Sequence, residues 1–186
     1  MKATNPQKGS LLVAEPSIIG DMSFNRSVIL LSHHTETGSV GFILNKSLDL
    51  TLDELVPSVK IKFDLYNGGP VEQDNLYFIH KVPDLIPGSI EISNGIYWGG
   101  SFDAIIELIN NKVINESEIK FFLGYSGWDA EQLQVELESD AWLVAEDVNY
   151  SQILVAKDAV FWKNEIQKIG GDYLIWQNAP ENPSYN

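Results

Sequence analysis

Gly124-Tyr125-Ser126-Gly127-Trp128 is the stretch of this chain that most invites chemistry. It follows the apolar run Phe121-Phe122-Leu123 and precedes Asp129 and Gln132, which can open a helix, so the spacing predicts strand, tight turn and helix. Glycines let a backbone turn where a side chain would clash. The turn would present Tyr125 and Trp128 beside a helix N-terminus, with Gln132 reaching it from the first helical turn. A serine on a strained turn serves as a nucleophile in the pattern G-x-S-x-G. Here Trp128 stands where the last glycine should be, so Ser126 reads as a turn hydroxyl that satisfies backbone groups.

The other reactive side chains are few. His33 and His34 are neighbours near a strand end and point to opposite faces, so they would not converge on one metal. His80 is distant in sequence. A metal site or a His34/His80 acid-base pair would need the fold to bring them together, and structural or exposed histidines are the simpler reading. With no cysteine, disulfides and thiolate chemistry are excluded. No catalytic residue is named, and no cofactor or metal is expected. Arg26 is the single arginine among twelve basic residues. A planar fork holds carboxylates, phosphates or several carbonyls better than an ammonium does, and a structural clamp is favoured over a ligand contact. Gly68-Gly69-Pro70 lacks both G-x-G-x-x-G and a P-loop lysine, so turn geometry explains it best. Of the five tryptophans, Trp98, Trp142, Trp162 and Trp176 sit in apolar patterns that predict core, and Trp128 is the candidate cavity wall.

The elements that must position these groups follow from periodicity. Leu11 to Ala14 reads as a buried strand, with Pro16 and Gly20-Asp21 turning the chain. Ser27–Ser32 and Val40–Asn45 form a hairpin about Thr35–Gly38. Thr51 with Glu54 has the capping-box pattern of a short helix ended by Pro57. Leu76–His80 is a strand, and Asn94-Gly95 marks a hairpin between Ser89–Ser93 and Ile96–Trp98. Ser101 caps a helix with Phe102, Ile105, Ile106 and Ile109 on one face. Asp129 and Gln132 cap another that buries Ala130, Leu133 and Leu137. Ala141–Ala145 and Gln152–Ala156 read as strands, and Asp158 caps a last helix with Trp162, Ile166 and Ile169 inward, stopped by Gly170-Gly171. Tyr173 to Trp176 should dock. Hairpins without strict βαβ alternation predict an α+β domain with a mostly antiparallel sheet.

Composition narrows the function. At 186 residues with 44% hydrophobic content, the chain suits one domain at residues 9–177, with a flexible arm at 1–8 and a Pro-rich tail at 178–186. A net charge of -14 argues against a duplex-binding face. Seven carboxylates and no Lys or Arg lie between Asp129 and Asp147, most simply a solvated face. The polar start and the short run Leu11–Ala14 predict neither export nor a membrane span, hence a cytoplasmic protein.

Read in order, Gly9-x-Leu-Leu-x-Ala14-x-Pro16, Phe24-x-Arg26-Ser27-Val28, His34-x3-Gly38-x2-Gly41-x3-Asn45-Lys46, Gly68-Gly69-Pro70-Val71, His80, Gly124-Tyr125-x-Gly127-Trp128, Gln132-Leu133 and Trp142 resemble the YqgE/AlgH family. The resemblance implies a bacterial cytoplasmic protein of a largely uncharacterised group, sometimes labelled transcriptional regulators, with a sheet bent into a pseudo-barrel and flanking helices. Together with the readings above, the candidate binding residues are Arg26, His34, Asn45, Gly68, Gly69, His80, Gly124, Tyr125, Trp128 and Gln132. The expected function is a non-enzymatic regulatory or interaction domain with a protein or small-molecule partner, without direct nucleic-acid or membrane binding. The alternative is a small hydrolase using histidines near the glycine-rich turns.

Overall fold

The computed structural model describes residues 5–16 and 23–178. The expected turn at Gly20-Asp21, the first four residues of the expected arm and the tail from Ala179 lie outside the described residues. The elements in order are β1 (Leu11–Ala14), β2 (Val28–Thr35), β3 (Gly38–Ile43), β4 (Ser47–Thr51), α1 (Leu52–Leu55), β5 (Asp64–Asn67), β6 (Val71–His80), β7 (Ile90–Ser93), β8 (Ile96–Trp98), α2 (Phe102–Asn110), β9 (Ile119–Asp129), α3 (Gln132–Glu138), β10 (Trp142–Val144) and α4 (Asp158–Ile169). Ten strands make one open sheet in the order β10-β1-β2-β3-β9-β6-β8-β7, with β4 and β5 branching from β9. Every pairing is antiparallel except β5 with β9. The fold is therefore α+β, as the hairpin signals predict. The sheet bends until β7 returns to the segment before β1, where Lys8 Nζ donates to the Glu91 carbonyl at 2.9 Å.

Helices on both faces explain why β1, β2 and β3 are continuous apolar runs and do not alternate. Leu11, Val13, Leu30 and Phe42 pack with Trp162 and Ile166 of α4 on one face. Leu12, Ile29, Leu31 and Ile43 pack with Leu133 and Leu137 of α3 on the other. A third cluster joins Phe121 and Ile119 of β9 to Ile105 and Ile109 of α2. The Asn94-Gly95 hairpin forms as predicted, both residues having positive φ. Ser101 caps α2 by accepting from the Ala104 N–H at 3.3 Å, and Glu54 reaches back to the Thr51 N–H at 2.9 Å.

The predicted turn at Gly124–Trp128 does not exist, because β9 runs straight through it as one eleven-residue strand. The glycines serve a chain crossing instead. β5 lies along one edge of β9, pairing Leu65 to Asn67 with Phe121 to Leu123, and β6 lies along the opposite edge, pairing Val71 with Tyr125. Only Gly68-Gly69-Pro70 connects the two, so the backbone must pass directly over β9 at Gly124. A Cβ on Gly68 would sit 2.2 Å from the Gly124 carbonyl oxygen, and one on Gly69 2.3 Å from Tyr125 backbone atoms. Beyond the crossing β3 takes over the edge that β5 vacates, from Gly41 opposite Ser126 to Gly38 opposite Asp129. Ser126, fully buried, donates to the Gly68 carbonyl at 3.1 Å, and the Ile43 N–H reaches the same oxygen at 3.0 Å.

Other expectations need correction. Gln152–Ala156 is not a strand: Asn149 Oδ1 accepts from the Ser151 N–H and hydroxyl and starts a 3-10 turn, and Ile153, Leu154 and Ala156 are buried from that turn. Asp158 does not cap α4, because its carboxylate accepts from the Ser47 hydroxyl at 3.0 Å. Ala130 is exposed.

Asn45 ties these parts together. Its Oδ1 accepts from the Val28 N–H at 2.9 Å, and its Nδ2 donates to the Arg26 carbonyl at 2.9 Å and the Asp158 carbonyl at 3.0 Å. Three backbone groups from two distant segments, the entry to β2 and the start of α4, thus depend on one buried amide. Asn45→Ala is expected to lower stability by about 1 to 3 kcal/mol, since buried groups left unpaired carry their desolvation cost. A urea midpoint equal to wild type would show that water replaces the amide.

Candidate functional site

Aromatic side chains from four strands meet on the concave side of the bent sheet and leave a cavity of about 430 Å³. Phe42 of β3, Tyr77 of β6, Trp98 of β8 and Tyr125 of β9 line it. Tyr77 and Tyr125 meet edge-to-face at 5.6 Å between ring centroids, and Phe42 lies 5.8 Å from Tyr77, its ring tilted against it. Phe42 is buried by stacking on Phe122 at 5.0 Å, whereas Tyr77, Trp98 and Tyr125 are only half-buried. The volume lies in the range of small-molecule sites, which are largely apolar with a few placed polar groups.

Those polar groups are at the rim. The Tyr77 hydroxyl donates to the Glu72 carboxylate, which also accepts from Asn75 Nδ2 at 2.9 Å. The Tyr77 and Asn75 hydrogen bonds hold the Glu72 carboxyl below its usual range. Burial, then the Glu72 contact, pushes the Tyr77 phenol up. Glu72 has φ 48, an uncommon backbone state for a non-glycine residue, and it places the carboxylate at the cavity mouth. Lys8 and His33 supply positive or donor groups at the same mouth. The cavity can accept a flat, mostly apolar molecule with polar substituents that reach the rim.

Of the residues singled out from sequence, Tyr125 lines this cavity, and Gly124, Gly68 and Gly69 form the crossing beneath that strand. Arg26 is buried with its guanidinium carbon 5.2 Å from the Trp162 ring centroid. His34 Nδ1 lies 2.7 Å from the Ser39 hydroxyl, in a separate cavity of about 520 Å³ beside Asp129 and Leu133. His80 is fully buried at the other end of β9: Ser39 pairs with Trp128 and His80 with Ile119, nine positions apart, or roughly 30 Å of strand. His80 accepts the Val82 N–H at Nδ1, so Nε2 carries the proton and faces the Gly99 carbonyl at 3.2 Å. Desolvation lowers its pKa. The structure does not bring His34, His80 and Ser126 together. Among the described residues no group of three or more His, Asp or Glu is placed to hold a metal.

Trp128 and Trp98 exchange their expected roles. Trp128, three residues from Tyr125 on a strand, points to the opposite face and is 5% exposed, packed edge-to-face on Trp142 and stacked on Phe24. Trp98 lines the cavity. Glu136, which nothing in the sequence picked out, takes both indole N–H groups on one oxygen, Trp128 Nε1 at 2.8 Å and Trp142 Nε1 at 2.7 Å. Gln132 donates to its other oxygen at 2.9 Å, and Gln132 Oε1 accepts the Asp129 N–H. Gln132 is thus a brace between α3 and β9. Glu136→Ala should destabilise by about 1 to 3 kcal/mol and change the near-ultraviolet circular dichroism of the tryptophans. An unchanged spectrum and midpoint would show that the indoles do not need this acceptor.

A family model described as AlgH-like matches residues 11–174. A UPF0301 protein of Bacteroides thetaiotaomicron is 40% identical over 185 residues, covering 97% of this chain and 92% of that one. A UPF0301 protein of Chlorobium limicola is 41% identical over 179 residues, covering 96% and 95%. Among solved structures, a crystal structure of a Corynebacterium diphtheriae protein superposes with TM-score 0.77 at 23% identity, covering 96% of this chain and 95% of that one. The solution structure of the AlgH protein from Pseudomonas aeruginosa superposes with TM-score 0.71 at 25% identity, covering 97% and 98%.

Proposed function

This chain belongs to the AlgH-like family, and on that premise we propose that it is a non-enzymatic regulatory or interaction domain of the cytoplasm, controlled by a small molecule in the aromatic cavity. The observation that carries this reading is the set of half-buried aromatics, Tyr77, Trp98 and Tyr125, held open around a volume of about 430 Å³. Their ring surfaces are left facing the cavity, and a ligand would complete their burial. The separation of His34, His80 and Ser126 favours binding over hydrolysis. No helix among the described residues is long and apolar enough to cross a membrane. The net charge of -14 disfavours direct binding to duplex DNA, so a regulatory role would run through a protein partner.

A thermal-shift screen of flat aromatic metabolites tests the reading. At about 100 times its dissociation constant a binder should stabilise by about 2.7 kcal/mol, and the shift should vanish in Trp98→Ala. Hits that stabilise Trp98→Ala as well as wild type would place the binding elsewhere.

A further inference from the structure

The chain buries a lysine that neither the packing nor the aromatic cavity uses. Lys120 of β9 is 2% exposed and lies on the same sheet face as Phe122, in a strand whose neighbours Ile119, Phe121 and Phe122 are all apolar. Its ammonium would have three donors to place. It has one carbonyl, that of Ala156 at 2.5 Å, and the face of the Tyr66 ring, with Nζ 3.5 Å from the centroid. Lys120 borders a second cavity of about 250 Å³, walled by Tyr66, Ile119 and Leu154, distinct from the aromatic one. Lys157 stands at the mouth, 2.6 Å from Asp64 and beside the Tyr66 hydroxyl. An amine set among apolar walls with a second cation close by is the arrangement that activates a lysine as a nucleophile.

We propose that Lys120 is a carbonyl-capturing amine that forms a reversible imine with small uncharged aldehydes entering this cavity. The Nζ lone pair attacks the aldehyde carbon and the carbonyl oxygen takes up a proton. The resulting carbinolamine takes up a proton from solvent at the open cavity mouth and loses its hydroxyl as water, and the nitrogen sheds its remaining N–H proton back to solvent to leave C=N. One amine and one aldehyde give one imine and one water, with no oxidant or reductant consumed. Asp64 and Glu116 at the rim disfavour anionic carbonyl compounds, and Lys157 is already tied to Asp64. Desolvation, with Lys157 as the next contribution, lowers the Lys120 pKa to about 7, so a large share of the amine is neutral near neutral pH. The site depends on neither the aromatic cavity nor its ligand.

Butanal with sodium cyanoborohydride, which reduces and traps the imine, tests this on the wild-type protein, with peptide mapping to locate the butyl group. Lys120 should be labelled ahead of the other ten lysines, with a pH dependence whose midpoint is near 7. Lys157→Met should move that midpoint upward, because the neighbouring cation is gone while Asp64 remains. Labels confined to surface lysines with Lys120 unmodified, or labelling of Lys120 only above the pH at which surface lysines react, would overturn the proposal. Because the mapping uses wild-type protein, it does not depend on Lys120→Met folding.

Discussion

Gly124→Ala is expected to cost about 2 to 5 kcal/mol and to abolish soluble expression if the wild type is only marginally stable. Two independent penalties add. Gly124 has φ 72, a left-handed conformation that costs a residue with a Cβ about 1 to 2 kcal/mol. The added Cβ would also sit 2.6 Å from the Gly69 carbonyl oxygen and 2.8 Å from that of Val71, both backbone atoms of the crossing segment. Neither can move without unpairing β5 or β6 from β9, so overpacking adds about 1 to 3 kcal/mol. Gly127→Ala is the control. Gly127 does not have positive φ, and the nearest atom to its Cβ would be Tyr125 Cε2 at 3.2 Å, the edge of a half-buried ring that can yield. Its cost should stay below about 1 kcal/mol. Equal urea midpoints for the two variants would mean that the crossing is not rigid.

Raising the pH from about 7 to about 9.5 should stabilise the protein by about 3 kcal/mol, an unusual direction that Lys120 imposes. Its folded pKa is about 7 against an ordinary 10.5, so between these values the unfolded chain binds more protons than the folded one. Stability therefore rises with pH through that window, at a slope approaching about 1.4 kcal/mol per pH unit. Tyr66 and Lys157 act in the opposite sense. Burial pushes Tyr66 up to about 12, and Asp64 raises Lys157, but both effects begin only above their ordinary values of 10.0 and 10.5. Lys120→Met should flatten the slope and raise stability at neutral pH by about 1 to 4 kcal/mol, because the desolvated amine is removed. Urea titrations of both proteins across the window give the comparison. A flat wild-type profile would show that Lys120 keeps its proton in the folded state.

The elements were legible where one signal dominated. The Asn94-Gly95 hairpin, the Ser101 cap and the stripe of Ile105 and Ile109 each rest on contacts within a few residues, and local chemistry decides them. The crossing was not legible, because glycines that permit a turn and glycines that permit two backbones to touch leave the same residues in the sequence. Gly68-Gly69 and Gly124 are complementary halves of one contact separated by more than fifty positions. The site was harder still. Tyr125 lines the cavity, but whether Trp98 or Trp128 faces one depends on which strand covers which face, and the apolar neighbours of Trp98 and the glycine-rich setting of Trp128 point the wrong way. Lys120 did leave a signal, a lysine between Ile119 and Phe121 inside an apolar strand, where period-two alternation gives a charged side chain no solvent face.

The indole resonances offer the most direct measurement of the aromatic cavity as a ligand site. In a nitrogen-15 heteronuclear spectrum, a flat aromatic compound selected by thermal shift should move the Trp98 Nε1–H signal. It should leave Trp128 and Trp142, both clamped by Glu136, and Trp162, whose Nε1 donates to the Ala14 carbonyl at 2.9 Å, in place. Compounds that move the Trp128 or Trp162 signals and leave Trp98 untouched would contradict the assignment of the concave face as the site.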